Sequence, residues 1–143
     1  MDLILVKKEF NTPVQQVFEK LAQHQTYNIA FSPIQVVRIK DGISIDRVDG
    51  VGSVRKLGFG LISILHEKIT TLIQNERIEY KIVKNPLVKH YLGILQFEAL
   101  NAKQTLVTYS IELKMRLPFV SKLILAQLKS GIKLDLSRIA KSI

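Results

Sequence analysis

The sequence predicts an α+β fold in which a curved antiparallel sheet of about six to seven strands wraps around one long C-terminal helix. Two patterns carry this prediction. From Leu125 to Ile143 the apolar residues recur at intervals of three and four, which is typical of one side of an amphipathic helix. From Thr105 to Leu117 apolar and polar residues alternate, which is typical of a half-buried antiparallel strand. A helix this long needs a broad apolar surface to lie on, and the strands before it can supply one.

The first part of the chain supplies one strand and two short helices. Leu3 to Phe10 alternates loosely and is predicted as the first strand. Thr12 and Pro13 suit the start of a helix, because threonine caps a helix and proline lacks the N–H that would be unpaired at the first helical position. A second short helix or turn is expected at His24 to Ala30, where Phe31-Ser32-Pro33 ends it.

Strands are predicted for the middle of the chain. Ile34 to Lys40 and Ile43 to Val48 should pair as a hairpin around the turn Asp41-Gly42. The later strands are expected at Ser53 to Phe59, Leu61 to Ile73, Arg77 to Val83, Tyr91 to Leu100 and Thr105 to Leu117. The long helix then begins at Pro118, a residue suited to a first helical position.

Length and composition indicate one domain spanning residues 1–143. Hydrophobic residues make up 47% of the chain and charged residues 23%, which argues against disorder. Cysteine is absent, so disulfides and thiolate metal sites are excluded. The N-terminus lacks the charge order of a signal peptide, and no apolar run is long enough to span a bilayer. We therefore expect a cytoplasmic protein without a transmembrane segment.

The chain is basic, with 21 Lys and Arg against 12 Asp and Glu and a net charge of +9. From Lys114 onward there are seven basic residues and one acid, Asp135. The basic residues of the C-terminal helix are Lys122, Lys129, Lys133, Arg138 and Lys141. Two interpretations stay open at this stage: a solvated helix surface, or a weak contact with a polyanion or an anionic membrane surface.

The sequence lacks motifs for catalysis or metal binding. Gly50-Val51-Gly52 has neither the third glycine nor the following helix of a phosphate-binding loop. The three histidines are dispersed, without the spacing of a metal site. We expect His24 to be partly exposed, His66 to point outward from its strand, and His90 to lie at a strand start. No metal and no cofactor are expected, and no residue can be assigned as catalytic.

Short signatures run along the whole chain in a particular order. They are Thr12-Pro13-Val14, Tyr27 to Pro33, Gly50 to Arg55, Glu67-Lys68-Ile69, Arg77-Ile78-Glu79-Tyr80 and Gly93 to Phe97. Their order and spacing resemble the START-like or SRPBCC helix-grip superfamily of polyketide cyclase/dehydrase and lipid-transport proteins. The resemblance implies a cavity between the concave face of the sheet and the long helix, which holds a lipid, quinone or polyketide-like molecule. It implies no catalytic residues, because the superfamily has no common catalytic set.

The alternation of the strands, placed in such a cavity, predicts which residues contact a ligand. The predicted wall consists of Phe31, Ile69, Tyr80, Ile82, Tyr91, Leu95, Phe97, Tyr109, Leu113, Leu125, Leu128 and Ile132. Three residues are candidate polar handles for the ligand: Arg55, His90 and Asp135. Asp135 lies at the edge of the apolar helix side, so we expect it to be protonated or to pair with a cation such as Arg55.

Three functions remain open from the sequence. The first is non-enzymatic binding or transport of a hydrophobic small molecule. The second is an aromatase/cyclase- or dehydratase-like enzyme, which requires an ionisable group inside the cavity. The third is association with ribosomes or RNA through the basic helix face, which phosphate contacts would make strongly salt-dependent.

Overall fold

The structure, a computed structural model, describes the backbone of residues 2–31, 35–59, 62–83, 85 and 87–143. Within these ranges the side chains of residues 30, 31, 59, 62–64, 118–125, 127 and 128 are not described. The described strands are β1 (Asp2–Phe10), β2 (Gln35–Lys40), β3 (Val54–Phe59), β4 (Ile62–Ile73), β5 (Arg77–Val83), β6 (Val88–Asn101) and β7 (Gln104–Met115). They form one antiparallel sheet in the order β1-β7-β6-β5-β4-β3-β2, so β1 and β2 are its edges.

The described α-helices are α1 (Val14–Leu21), α2 (Tyr27–Phe31) and α3 (Pro118–Ser142), and a 3₁₀ turn, His24–Thr26, precedes α2. The long helix α3 lies against β1, β7 and α2. This confirms the predicted α+β fold with a curved antiparallel sheet, two short helices after the first strand and a long C-terminal helix. The cap predicted for α1 is wrong in detail, because Pro13 rather than Thr12 occupies the capping position.

The hairpin predicted between Ile34–Lys40 and Ile43–Val48 is wrong. β2 pairs with β3 instead, and residues 41–53 form a loop of successive turns between them. Ile43 and Ile45 are 84% and 95% exposed in this loop. Their alternation with polar residues resembled a strand, but the loop is rich in aspartate and glycine, whose turn preference outweighs a short alternating pattern.

The core lies between the inner face of the sheet and the helices. Along β7 every second residue is buried, in agreement with the predicted alternation. On α3, Ile132, Leu136 and Ile139 are buried, and they lie on the apolar side that the sequence spacing predicted. Burial of each such side chain stabilises the fold by roughly 1.5–3 kcal/mol.

A bulge in β4 extends the inner face beyond strict alternation. Ile69 lies opposite Tyr80 and Leu72 lies opposite Ile78, with a register shift between them. Ile69 and Leu72 therefore share one face although they are three residues apart, because the extra residue of a bulge shifts the alternation by one. Strict alternation of inward and outward residues along β4 would therefore have placed Leu72 on the wrong face of the sheet.

Two leucines on α3 test the packing of this helix. Leu136 is 2% exposed and Leu134 is 53% exposed. We expect Leu136→Ala to lower the free energy of unfolding by about 2–5 kcal/mol, because it leaves a cavity against the sheet. The control Leu134→Ala should change it by less than about 0.5 kcal/mol. Urea denaturation followed by circular dichroism measures both, and similar losses in the two variants would contradict the assigned helix face.

Candidate ligand-binding site

Five polar or aromatic side chains from five adjacent strands point to the inner face of the sheet. They are Arg55 on β3, Glu67 on β4, Tyr80 on β5, Tyr91 on β6 and Tyr109 on β7, and we call them the inner polar cluster. Four of them are buried, and Tyr91 retains part of its accessible surface. Each lies on the inward side of its strand, so the sheet itself brings them together.

A buried ion pair forms one side of the cluster. Arg55 and Glu67 lie directly opposite each other in β3 and β4, and Arg55 Nε donates to Glu67 Oε1 at 2.8 Å. Burial raises the pKa of Glu67 above its ordinary value, although the neighbouring guanidinium of Arg55 opposes the rise. Arg55 stays charged, since a guanidinium does not deprotonate in proteins. Two buried groups of opposite charge are tolerated here because each has the other as its partner.

Aromatic rings hold the guanidinium of Arg55 in place. Its central carbon lies 4.3 Å from the centre of the Tyr27 ring and 5.0 Å from the centre of the Tyr80 ring. Both distances are within the range of cation–π attraction. Tyr27 belongs to α2, and its hydroxyl donates to the carbonyl of Leu21 at 2.8 Å. The ion pair therefore also connects the sheet to the short helices.

The phenols of Tyr80, Tyr91 and Tyr109 converge. The hydroxyls of Tyr80 and Tyr109 share a hydrogen bond, and the hydroxyls of Tyr80 and Tyr91 lie 3.4 Å apart. Burial raises the pKa of Tyr91 and of Tyr109 well above the ordinary value for tyrosine. The phenols are therefore neutral and act as hydrogen-bond donors and acceptors rather than as bases.

Gly93 makes room for this arrangement. It lies opposite Tyr80, and a Cβ atom built at Gly93 would be 2.2 Å from Cζ of the Tyr80 ring. No side chain larger than a hydrogen fits there without displacing the ring. Gly93 thus allows the Tyr80 ring to lie flat across β6, with its hydroxyl between the other two phenols.

The accessible end of the cluster is at the start of β6. Tyr91 keeps accessible surface, although burial still raises its pKa. Val88 and Met115 are also partly buried, whereas Leu95, farther along β6, is completely buried. The inner polar cluster is therefore least buried near the start of β6.

The structure places most of the predicted wall residues on the inner face. These are Ile69, Tyr80, Ile82, Tyr91, Leu95, Phe97, Tyr109 and Leu113, joined by Ile132 of α3. The predicted wall residues Phe31, Leu125 and Leu128 lie outside the described side chains. Contact of any of these residues with a ligand stays a prediction.

The predicted handles have different environments. Arg55 lies on the inner face, but its partner is Glu67 rather than Asp135, so the expected pairing of Asp135 with Arg55 is wrong. Asp135 is half-buried on α3, and burial raises its pKa to about 6, with Arg138 opposing the rise. Burial is the main cause of the raised pKa of Tyr109, and the charge of Asp135 makes a smaller contribution.

His90 is not a handle inside the cavity. Its Nε2 bonds to Glu112 Oε2 at 3.1 Å, on the outer face of β6 and β7. Tyr91 lies opposite the buried Leu113 and occupies the inner face, so its neighbour His90 must point the other way. The proposed role of His90 is therefore corrected: this residue forms a surface ion pair.

His24 is buried, whereas the sequence suggested partial exposure. Its Nε2 lies 2.9 Å from Ser53 Oγ and 4.0 Å from Asp49 Oδ1. Burial lowers the pKa of His24 to about 4, so the ring is neutral at pH 7. A hydrolase triad needs the acid and the serine on opposite ring nitrogens, and here both approach the same one. This group joins the 3₁₀ turn to the loop before β3.

No helix in the described part of the chain is long and apolar enough to cross a membrane. Among the described residues there is also no group of three or more histidine or acidic side chains that could hold a metal ion. The described candidate site thus consists of the ion pair, the phenols and the apolar inner face.

Solved structures resemble this arrangement over nearly its full length. An aromatase/cyclase, Zhui from Streptomyces sp. R1128, matches with a TM-score of 0.80 and 19% identity, covering 99% of this chain and 92% of that one. A START superfamily protein from Mycobacterium smegmatis matches with a TM-score of 0.76 and 13% identity, covering 99% of both chains. The chain has the START-like helix-grip fold. No protein-family model matches the sequence, and no curated protein matches it.

A third structure with the START-like fold is norcoclaurine synthase from Thalictrum flavum, in complex with dopamine and hydroxybenzaldehyde. It matches with a TM-score of 0.70 and 12% identity, covering 98% of this chain and 84% of that one. Identities this low establish the fold alone, and the two named enzymes among these structures have different activities.

The ion pair can be tested by removing one partner. We expect Glu67→Gln to lower the free energy of unfolding by about 3–5 kcal/mol, because it leaves the charge of Arg55 buried without a counter-ion. The control Glu112→Gln breaks the exposed pair with His90 and should change stability by less than about 1 kcal/mol. Chemical denaturation at pH 7 measures both, and a loss at Glu67 no greater than at Glu112 would argue against a buried pair.

Asp135 should make stability depend on pH. Its pKa is about 6 in the folded protein against an ordinary 3.8, so the folded state loses stability as the pH rises from 3.8 to 6. We expect Asp135→Asn to be more stable than the original protein at pH 8, by about 1–2 kcal/mol after allowance for partial exposure. The difference should vanish at pH 3.5.

Urea denaturation at these two pH values measures the effect of Asp135→Asn. The control Asp46→Asn changes an exposed loop carboxyl and should alter stability by less than about 0.5 kcal/mol at either pH. A stabilisation by Asp135→Asn that persists unchanged at pH 3.5 would show that the effect does not come from ionisation.

Proposed function

We propose that this protein binds a neutral, hydrophobic small molecule bearing a hydroxyl or carbonyl group, in a space between the inner face of the sheet and α3. The observation that carries the proposal is the convergence of three neutral phenols, with Tyr91 still accessible, on an inner face that is mostly apolar apart from the paired Arg55 and Glu67. Ligand sites of this kind combine an apolar wall with a few fixed polar groups. Residues 1–143 then act as one ligand-binding domain.

The electrostatics of the cluster favour an uncharged ligand. The guanidinium of Arg55 is already paired with Glu67, so a ligand carboxylate would have to compete with a buried carboxylate for it. A carbonyl oxygen needs only a donor, which the Tyr91 hydroxyl can provide. This chemistry fits a quinone, a polyketide-like ketone or a neutral lipid better than a fatty acid.

Catalysis of the cyclase or dehydratase kind is the second candidate, and one observation favours it. Asp135 is a half-buried carboxyl on α3 with a pKa of about 6, which is suitable for a general acid or base near neutral pH. Structures with the same fold include an aromatase/cyclase and norcoclaurine synthase. A carrier would release its ligand unchanged, whereas this enzyme would convert it and would lose turnover in Asp135→Asn.

Contact of the basic α3 face with a polyanion remains a separate prediction. Lys129, Lys133, Arg138 and Lys141 are exposed, and the side chain of Lys122 is not described. Binding of RNA or ribosomes through this face would weaken steeply with salt. Variants of this face serve as controls when binding to lipid vesicles is measured.

A hydroxyl deletion tests the ligand site. We expect Tyr91→Phe to weaken binding of 2-methyl-1,4-naphthoquinone about 2- to 10-fold, since one hydrogen bond contributes about 0.5–1.5 kcal/mol. Binding of naphthalene, which has no carbonyl, should be unchanged. Quenching of the intrinsic tyrosine fluorescence measures both affinities. Native mass spectrometry of the purified protein then identifies any molecule that co-purifies.

The matched control is Tyr27→Phe, which removes a buried hydroxyl that is bonded to the backbone of Leu21 and adjoins Arg55, and that is not one of the three converging phenols. It should leave both affinities unchanged. If Tyr91→Phe and Tyr27→Phe weaken quinone binding equally, or if quinone and naphthalene are affected alike, the phenols do not orient the ligand. If neither compound binds, the proposed ligand class is wrong.

A further inference from the structure

Two segments at one end of the sheet form a continuous ridge. The backbone N–H of Arg116, after β7, donates to the carbonyl of Leu87, just before β6, at 3.1 Å. Val88 lies opposite Met115 in the adjoining strand pair. This hydrogen bond and strand pair set the residues that flank β6 and β7 side by side. We call Leu87, Lys89, Lys114, Arg116 and Leu117 the rim.

The rim exposes large apolar side chains. Leu87 is 59% exposed and Leu117 is 55% exposed. Both leave an apolar surface accessible to water, and its burial would be favourable. Two exposed leucines at one end of neighbouring strands are suited to enter an apolar phase.

The same rim is positively charged. Lys89, Lys114 and Arg116 are exposed around the two leucines. The five rim residues include three basic side chains and no acid. The rim thus combines exposed apolar side chains with an excess of positive charge. An anionic bilayer surface offers the matching partners, because its acyl chains accept apolar side chains and its phosphates attract basic ones.

The position of the rim relates it to the candidate site. Leu87 is four residues from Tyr91 along β6, about 13 Å at the usual rise of a strand. The rim therefore lies at the accessible end of the inner polar cluster. A molecule docked by this end would turn Tyr91, the accessible phenol of the cluster, toward the bilayer.

We infer that this rim docks the protein on anionic membranes, with Leu87 and Leu117 entering the headgroup region and Lys89, Lys114 and Arg116 contacting lipid phosphates. This goes beyond the proposed ligand binding and does not depend on it, because a protein with an empty interior would still dock. An RNA partner is a poorer match, since aromatic side chains for stacking on bases are missing from the described rim.

The test is co-sedimentation of the full chain with vesicles of phosphatidylcholine, with and without phosphatidylserine. The protein should bind the anionic vesicles and, at the same salt, bind the neutral ones much more weakly. The double variant Leu87→Ser/Leu117→Ser should lower the partition coefficient at least about tenfold. Lys114→Glu should lower it at least about fivefold, since one basic residue near the surface contributes about that factor.

The matched controls lie on α3. Leu134→Ser removes an equally exposed leucine, and Lys129→Glu reverses an equally exposed lysine. Both should leave the partition coefficient within about twofold of the original. Naphthoquinone affinity and thermal stability are measured on every variant and should be unchanged, so that failure of docking is distinguished from failure of ligand binding or folding.

Three results would overturn the inference. One is equal binding to neutral and anionic vesicles, or no binding to either. Another is a loss in the α3 controls that equals or exceeds the loss in the rim variants, which would assign the contact to the basic helix face. The third is retention by immobilised RNA, with the same sensitivity to Lys114→Glu, when no vesicle binding occurs.

Discussion

The buried ion pair between Arg55 and Glu67 constrains the register of its two strands and the positions of the aromatic rings that pack on it. Neither charge can be left alone in an apolar interior, so β3 and β4 must hold the register that sets the two residues opposite each other. Once the guanidinium is fixed, Tyr27 packs on it from α2 and Tyr80 packs on it from β5. A single electrostatic requirement therefore orders a short helix, three strands and the first phenol of the candidate site.

The pair also determines what kind of polarity the interior offers. Because the two charges neutralise each other, the remaining hydrogen-bonding capacity lies with the phenols, which burial keeps in their neutral form. The proposed ligand site thus offers hydrogen bonds to a molecule that carries no charge. Asp135 is the exception among the predicted handles, because burial raises the pKa of its carboxyl to about 6 and its charge therefore changes near neutral pH.

Local patterns predicted the elements well and the site only in part. The alternation of β7 and the spacing of α3 follow from burial on one face, so the sequence alone identifies them. The pairing of Arg55 with Glu67 depends on a register shift between Leu57 and Gly58 in the β3–β4 pair, and such an irregularity cannot be predicted from the alternation of residues. His24 was misjudged for a similar reason, because its burial results from a loop that folds back from residues 49–53. The hairpin predicted at Ile43–Val48 is the opposite error: these residues alternate as in a strand, but they form turns instead.

The two ends of the sheet differ in how far their residues are packed and how far they are exposed. At the end that carries α1, Phe18 packs edge-on against Phe97 at 5.2 Å between ring centres, and the Thr105 hydroxyl donates to the carbonyl of Thr12 at 2.8 Å. These contacts pack α1 and the segment before it against the sheet. At the opposite end, Tyr91 keeps accessible surface, and Leu87 and Leu117 are exposed. The accessible part of the phenol group therefore lies at the end of the sheet that carries the rim.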